Sequence, residues 1–210
     1  GISFVLLTMD QPGVTVKPIR LISGSSPFCE TFLDNATAEK DDLIGKLDQG
    51  WTVGKRLLQF ERSGIGGLSG GARRAQPGAG LAKLAKESVG ESGNAIADTA
   101  VRKDVTVMNM NRNAFQLTAQ RANEENKSGI PGAATSIFKL YGAALQQDGA
   151  NLRRELLGFK GLGAHDTNGF DQSDLAATEE WLHTRTTTIY GGSNEIQANI
   201  IAKRVLGLPD

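Results

Sequence analysis

The chain has 210 residues, 39% of them hydrophobic, and its 23 basic and 23 acidic side chains balance to a net charge of zero. That balance leaves no electrostatic footprint for nucleic acid or an anionic membrane surface, and no apolar run reaches the roughly 20 residues needed to cross a bilayer. A lone cysteine, Cys29, rules out an internal disulfide and fits a reducing cytoplasm.

Residues 2–9 are apolar and β-branched, and are expected to form a buried strand. They lack the basic flank and the cleavage site of a secretory leader. Because Gly1 leads at once into this run, the chain reads as a segment from within a longer polypeptide. The turn signal Gln11-Pro12-Gly13 precedes an alternating stretch at 14–19. Leu21-Ile22, a Gly/Ser/Pro break at 24–27 and residues 28–33 continue the pattern of short strands. Leu43-Ile44 closes it before Gly45.

From Gly50 the period changes. Trp51, Leu57, Leu58 and Ile65 fall near helical spacing, as do Val101, Val105, Met108, Ala114, Phe115 and Leu117. Ile137, Leu140, Tyr141, Ala144 and Leu145 mark a further helix, entered through Ile130-Pro131, where a proline near a helix start does no harm. A last helical region runs from Asp174 through Trp181 to Ile189. It breaks at Gly191-Gly192 and restarts over residues 195–206, with Ser193 as a natural N-cap. Seven glycines and a proline at 64–80 are poor helix formers, so the helix there is either interrupted or packed closely against a neighbour. The expected fold is mainly α, an antiparallel bundle of four or five helices over residues 46–210, preceded by a few antiparallel strands over residues 1–45.

Most simple chemistries find no support. Gly64-Ile65-Gly66-Gly67 lacks the Gly-Lys-Ser/Thr ending of a phosphate loop and follows a helix where a strand is required. His165 and His183 are far apart in sequence and Cys29 has no partner, so no metal site is expected. No Gly-x-Ser-x-Gly elbow occurs. Glu61-Arg62 is more interesting, because it interrupts an otherwise apolar helical stretch of Leu57, Leu58, Phe60 and Ile65. Adjacent helical residues diverge by about 100°, so the pair is either a solvated charge pair or places one charge toward the apolar side.

The run Trp181-Leu182-His183-Thr184-Arg185-Thr186-Thr187-Thr188-Ile189-Tyr190-Gly191-Gly192-Ser193-Asn194-Glu195-Ile196-Gln197 resembles the C-terminal signature of acyl-CoA dehydrogenases. Its continuation, Asn199-Ile200-Ile201-Ala202-Lys203-Arg204-Val205-Leu206-Gly207-Leu208-Pro209, does so too. Pro12-Gly13-Val14 and residues 28–34 resemble the second half of that family's central β-domain, and residues 50–62 resemble the helix opening its C-terminal bundle. The resemblance is to bacterial members; it spans essentially all 210 residues and about half of a family chain.

The resemblance implies an FAD-dependent α,β-dehydrogenation of an acyl-CoA thioester, with electrons passing to an electron-transfer flavoprotein, in a homo- or hetero-tetramer. In many members the base is a glutamate in a Tyr-Glu-Gly-Thr context; here Gly191 stands at that position and cannot take a proton. In others the base lies on the first bundle helix directly before an arginine, which Glu61-Arg62 matches. The resemblance therefore implies Glu61 as catalytic base, Arg62 and Gly192 as substrate contacts, and Ser193, Asn194 and Glu195 as flavin contacts. Two departures stand out. The family's Arg-x-x-Phe-Gly element, which serves the neighbouring subunit's flavin, corresponds to Glu87-Ser88-Val89-Gly90-Glu91, and its Leu-Gly-Gly-Asn-Gly motif corresponds to Leu157-Gly158-Phe159-Lys160-Gly161-Leu162-Gly163. They raise the alternative of a non-catalytic structural subunit of a heteromeric relative.

Overall fold

The computed structural model describes residues 1–66, 80–126, 137–164 and 169–209, with the side chains at 59–66, 123 and 126 outside the described set. The chain divides into two compact units, residues 1–70 and 71–210.

In the first unit, strands β2 (Val14–Ile19) and β3 (Phe28–Leu33) pair antiparallel, with Val14 opposite Leu33 and Ile19 opposite Phe28. The strand-like reading of 14–19 and 28–33 is therefore realised as a hairpin. Leu21-Ile22 instead belongs to its connection, folded back by a bond from the Leu21 N–H to the Ser25 carbonyl, 2.9 Å. The buried strand expected over residues 2–9 is not formed. Only β1 (Phe4–Val5) forms a ladder, antiparallel with β4 (Leu43–Ile44), with a single parallel bridge from Ile2 to Gln49, and Ile2, Leu6 and Met9 are exposed. A two-residue ladder gives such a run too little to bury itself against, so its apolar residues stay at the surface. Helix α1 (Gly50–Gly66) follows directly. Its first residue lies against the Ser3 and Phe4 backbone, where a Cβ would collide, and the Gly50 N–H donates to the Ile2 carbonyl at 2.7 Å. Glycine is what lets the helix start against the strand.

The second unit is helical. Helix α2 (Leu81–Val89) leads through the hairpin β5 (Glu91–Ser92) and β6 (Ala95–Ile96) into α3 (Thr99–Asn126), α4 (Phe138–Leu157), α5 (Gln172–Thr184) and α6 (Asn194–Ile200). The helical spacing read around Val101–Leu117 and Ile137–Leu145 matches α3 and α4. The entry through Ile130-Pro131 lies outside the described residues; the described part of α4 starts at Phe138. Leu81, Ala85, Ile96, Val105, Met108, Leu145 and Leu156 form the core, joined by Leu84, Val101, Phe115 and Leu152. Phe115 of α3 meets Phe138 edge-on at 5.5 Å between ring centres and also faces Tyr141. Asn151 pairs with Trp181, while Gln147, one turn earlier on α4, pairs with Thr184, one turn later on α5. That register makes α4 and α5 antiparallel neighbours, as expected of a bundle. No helix among the described residues is long and apolar enough to cross a membrane.

Candidate functional site

The candidate site is the turn between α5 and α6, and it is built by threonines. A helix leaves its last carbonyls without intrahelical partners. Here the run Thr184-Arg185-Thr186-Thr187-Thr188 supplies them, because threonine hydroxyls bond back to nearby carbonyls. Thr184 Oγ1 donates to the Trp181 carbonyl at 2.8 Å, Thr186 to His183 at 2.8 Å, Thr187 to Thr184 at 2.6 Å, and Thr188 to Arg185 at 3.3 Å. Each bond spans three residues, and α5 tightens into a 3-10 turn over Arg185–Thr188. Thr184 and Thr187 are buried, so their hydroxyls must be satisfied within the protein.

Side chains from α4 hold this turn from beneath. Gln147 Nε2 donates to the Thr184 carbonyl at 3.0 Å, and the Lys139 ammonium donates to the Thr187 carbonyl. Lys139 also lies 5.7 Å from the centre of the Tyr190 ring. Burial pushes its pKa below the ordinary lysine value of 10.5. Further along, the guanidinium groups of Arg154 and Arg185 lie over the Trp181 ring, 4.2 and 5.0 Å from its centre.

The chain then reverses through Gly191 and Gly192, at φ of 67° and 92°, conformations that favour glycine. Gln197, buried on α6, donates Nε2 to the Gly191 carbonyl at 3.4 Å, and the same amide stands 2.6 Å from where a Cβ on Gly192 would lie. Ser193 caps α6 as its sequence suggests, accepting the Ile196 N–H at 3.4 Å. Hydrogen bonding from Glu195's own N–H, and to a lesser degree from the Ser193 hydroxyl, holds the Glu195 carboxylate below the ordinary glutamate value. The Asn194 side-chain oxygen is buried and has no hydrogen-bond partner among the described residues. Helix α6 is shorter than the 195–206 stretch expected of it: it ends at Ile200 and widens into a π turn over Ile201–Val205, with the Leu206 N–H reaching the Ile201 carbonyl at 3.0 Å.

Gly192, Ser193, Asn194 and Glu195 therefore come together in one turn. Glu61 and Arg62 are helical in α1, within the first unit, and their side chains lie outside the described residues. Sequence reasoning missed Lys139, Gln147 and Gln197. For Lys139 the signal was available: a cation set among Ile137, Phe138, Leu140 and Tyr141 at the start of a core helix.

A family model for the acyl-CoA dehydrogenase C-terminal domain matches residues 48–206. The chain belongs to the acyl-CoA dehydrogenase family. It is 35% identical over 209 residues to acyl-CoA dehydrogenase IpdE1 of Mycobacterium tuberculosis, covering 100% of this chain and 51% of that one. Against acyl-CoA dehydrogenase IpdE1 of Mycolicibacterium smegmatis the identity is 33% over 210 residues, covering 100% and 50%. The chain thus spans about half the length of these relatives and corresponds to a C-terminal half. Its fold resembles the Tcur3481–Tcur3483 steroid ACAD, with a TM-score of 0.83 at 20% identity over 100% of this chain and 52% of that one. It also resembles the ChsE4–ChsE5 complex of Mycobacterium tuberculosis, with a TM-score of 0.78 at 19% identity over 100% and 54%.

The two departures from acyl-CoA dehydrogenase motifs have local partners in this fold. Residues 87–91 end α2 and open β5. Ser88 donates to the Leu156 carbonyl at 2.5 Å and Glu91 pairs with Lys86 at 3.0 Å. In the altered glycine motif, the Gly161 carbonyl accepts from Arg154 Nε at 3.0 Å and from Thr178 Oγ1 at 3.3 Å. Phe159 stacks on Phe170 at 5.7 Å.

Proposed function

We propose that the chain is the C-terminal half of an FAD-dependent acyl-CoA dehydrogenase that desaturates the α,β-carbons of an acyl-CoA thioester, with Glu61 as the base. The carrying observation is Gly191, which stands in the α5–α6 turn where many members have a glutamate, in a chain that otherwise aligns with acyl-CoA dehydrogenases along its whole length. Glycine holds no proton, so a base must come from elsewhere, and Glu61, directly before Arg62 on α1, has the family's other arrangement. In this reading the Glu61 carboxylate takes the α-proton as the Cα–Cβ double bond forms, while Arg62 and Gly192 contact the substrate. An apolar acyl pocket would raise the Glu61 pKa toward the working range.

The turn's chemistry fits FAD. The buried Asn194 oxygen is an acceptor with no donor among the described residues, and the cofactor's hydroxyls and ring N–H are donors, so Ser193, Asn194 and Glu195 would hold it. When bound, FAD supplies the acceptor for the hydride leaving Cβ. Electrons then pass to an electron-transfer flavoprotein, in a cytoplasmic setting. The fold's likeness to the steroid ACAD makes a bulky, ring-bearing acyl group the first substrate class to try. In the longer protein, residues 1–45 belong to the central β-domain and 46–210 to the helical bundle.

The second reading, a non-catalytic subunit of a heteromeric tetramer, is favoured by residues 87–91, which carry no arginine and whose Ser88 and Glu91 bond within their own chain. Anaerobic mixing of the full-length protein with steroid-derived and straight-chain acyl-CoA thioesters separates the two. The enzyme reading predicts loss of the oxidised flavin absorbance with at least one thioester. A protein that purifies without flavin, and contributes to turnover only beside a second chain, supports the subunit reading.

A further inference from the structure

Lys139 is a cation in an unusual setting. It stands half-buried at the second position of α4, between the core residue Phe138 and Leu140. None of the ion pairs among the described residues includes it. Its contacts are the Thr187 carbonyl and the face of the Tyr190 ring. Both belong to the segment leading into Gly191-Gly192-Ser193. Partial burial without an anion is costly for an ammonium, and an apolar residue would suit the neighbouring core better. What the charge provides is a strong bond to one backbone carbonyl, since hydrogen bonds with an ionised donor exceed neutral ones, and an attraction to one ring. Gln147, two turns further along the same helix, holds the Thr184 carbonyl in the same way. The turn is thus tied at two points to a helix of the core, whereas Gly191 and Gly192 carry no side chains of their own to fix it.

We propose that Lys139 is a positioning residue, fixing the Thr187–Tyr190 segment so that Gly192 and Ser193–Glu195 are presented to substrate and cofactor in one arrangement. The proposal rests on the acyl-CoA dehydrogenase reading for what the turn presents, but not for the ordering of the turn itself. It differs from a packing role in being local: its loss frees the turn and leaves the core of α2, α3 and α4 as it was.

The test uses the full-length protein with Lys139→Met and Lys139→Arg. Methionine keeps the unbranched apolar stem while removing the donor and the charge; arginine keeps both. Losing one charge-assisted bond is expected to speed amide hydrogen exchange across residues 187–193 by about tenfold or more, with exchange in α3 unchanged. Flavin reduction at saturating acyl-CoA is expected to slow by about 10- to 100-fold with little change in KM, because a small misplacement at a reacting centre costs that much. Lys139→Arg is expected to restore both. Should Lys139→Met fail to fold, Lys139→Gln, whose shorter amide reaches less far, takes its place with the same readouts. Unchanged exchange at 187–193 overturns the proposal, and so does equal loosening of α3, which marks a packing role. A wild-type protein inert toward every thioester defeats the enzyme reading, while the exchange comparison still decides the role of Lys139 in ordering the turn.

Discussion

Ser193 makes two bonds with one hydroxyl: it accepts the Ile196 N–H and donates to the Glu195 carboxylate. The first starts α6 and the second favours the charged form of an exposed carboxylate. Glu195's pKa is depressed in the fold. Its contribution to stability is therefore present above the ordinary value of 4.5 and is lost as the pH falls through the lowered folded value. Ser193→Ala removes the second of the two bonds holding that value down. The Glu195 pKa is expected to move up toward the ordinary value while the helix loses about 1 kcal/mol of capping. A carboxyl titration by NMR checks this, and an unmoved Glu195 shows that the Ser193 bond is immaterial. Ser193 is also the residue whose local role was legible from sequence, because a cap depends on its immediate neighbours alone. For Lys139 the sequence shows a cation in an apolar run, but not what it binds, because its partner lies 48 residues away.

At the scale of elements, the long helices follow their sequence periodicity. The apolar positions of α3 and α4 recur where one face must be buried, and Val105, Met108 and Leu145 fill the core as that spacing demands. What periodicity could not deliver was most of the short elements in the second unit. Helix α2 has nine residues and follows a glycine-rich stretch, yet it supplies Leu81 and Ala85, two of the most deeply buried residues of the core. The two-residue strands β5 and β6, the threonine-built 3-10 turn and the π turn after Ile200 depend on bonds between particular groups. Leu81→Ala is expected to lower stability by roughly 2–5 kcal/mol through lost transfer energy and the cavity left behind, read by denaturant unfolding of the full-length protein. A change within the range of surface substitutions, about 0.5 kcal/mol, means that α2 is not part of the core. The apolar run at residues 2–9 marks the opposite limit. Its composition predicts burial, but its only ladder is two residues long and most of it stays exposed.

For the whole molecule, the functional residues named from sequence are shared between two compact units, with Glu61 and Arg62 on α1 and Gly192, Ser193, Asn194 and Glu195 in the α5–α6 turn. Sequence reasoning assigned both groups a function only through a family pattern, since Glu61-Arg62 alone reads more readily as a solvated charge pair. Gly191 and Gly192 both lie at positive φ, shaping the backbone of the turn for residues without side chains, and the proposed base is placed on α1 instead. The central claim is that Glu61 takes the α-proton, and stopped-flow flavin reduction in the full-length enzyme tests it most directly. Glu61→Gln preserves shape but cannot accept a proton near neutral pH. It is expected to slow flavin reduction by about 10²–10⁴-fold while acyl-CoA and flavin still bind. Reduction at the wild-type rate would contradict the claim, leaving Glu61 a surface charge and the non-catalytic subunit the better account.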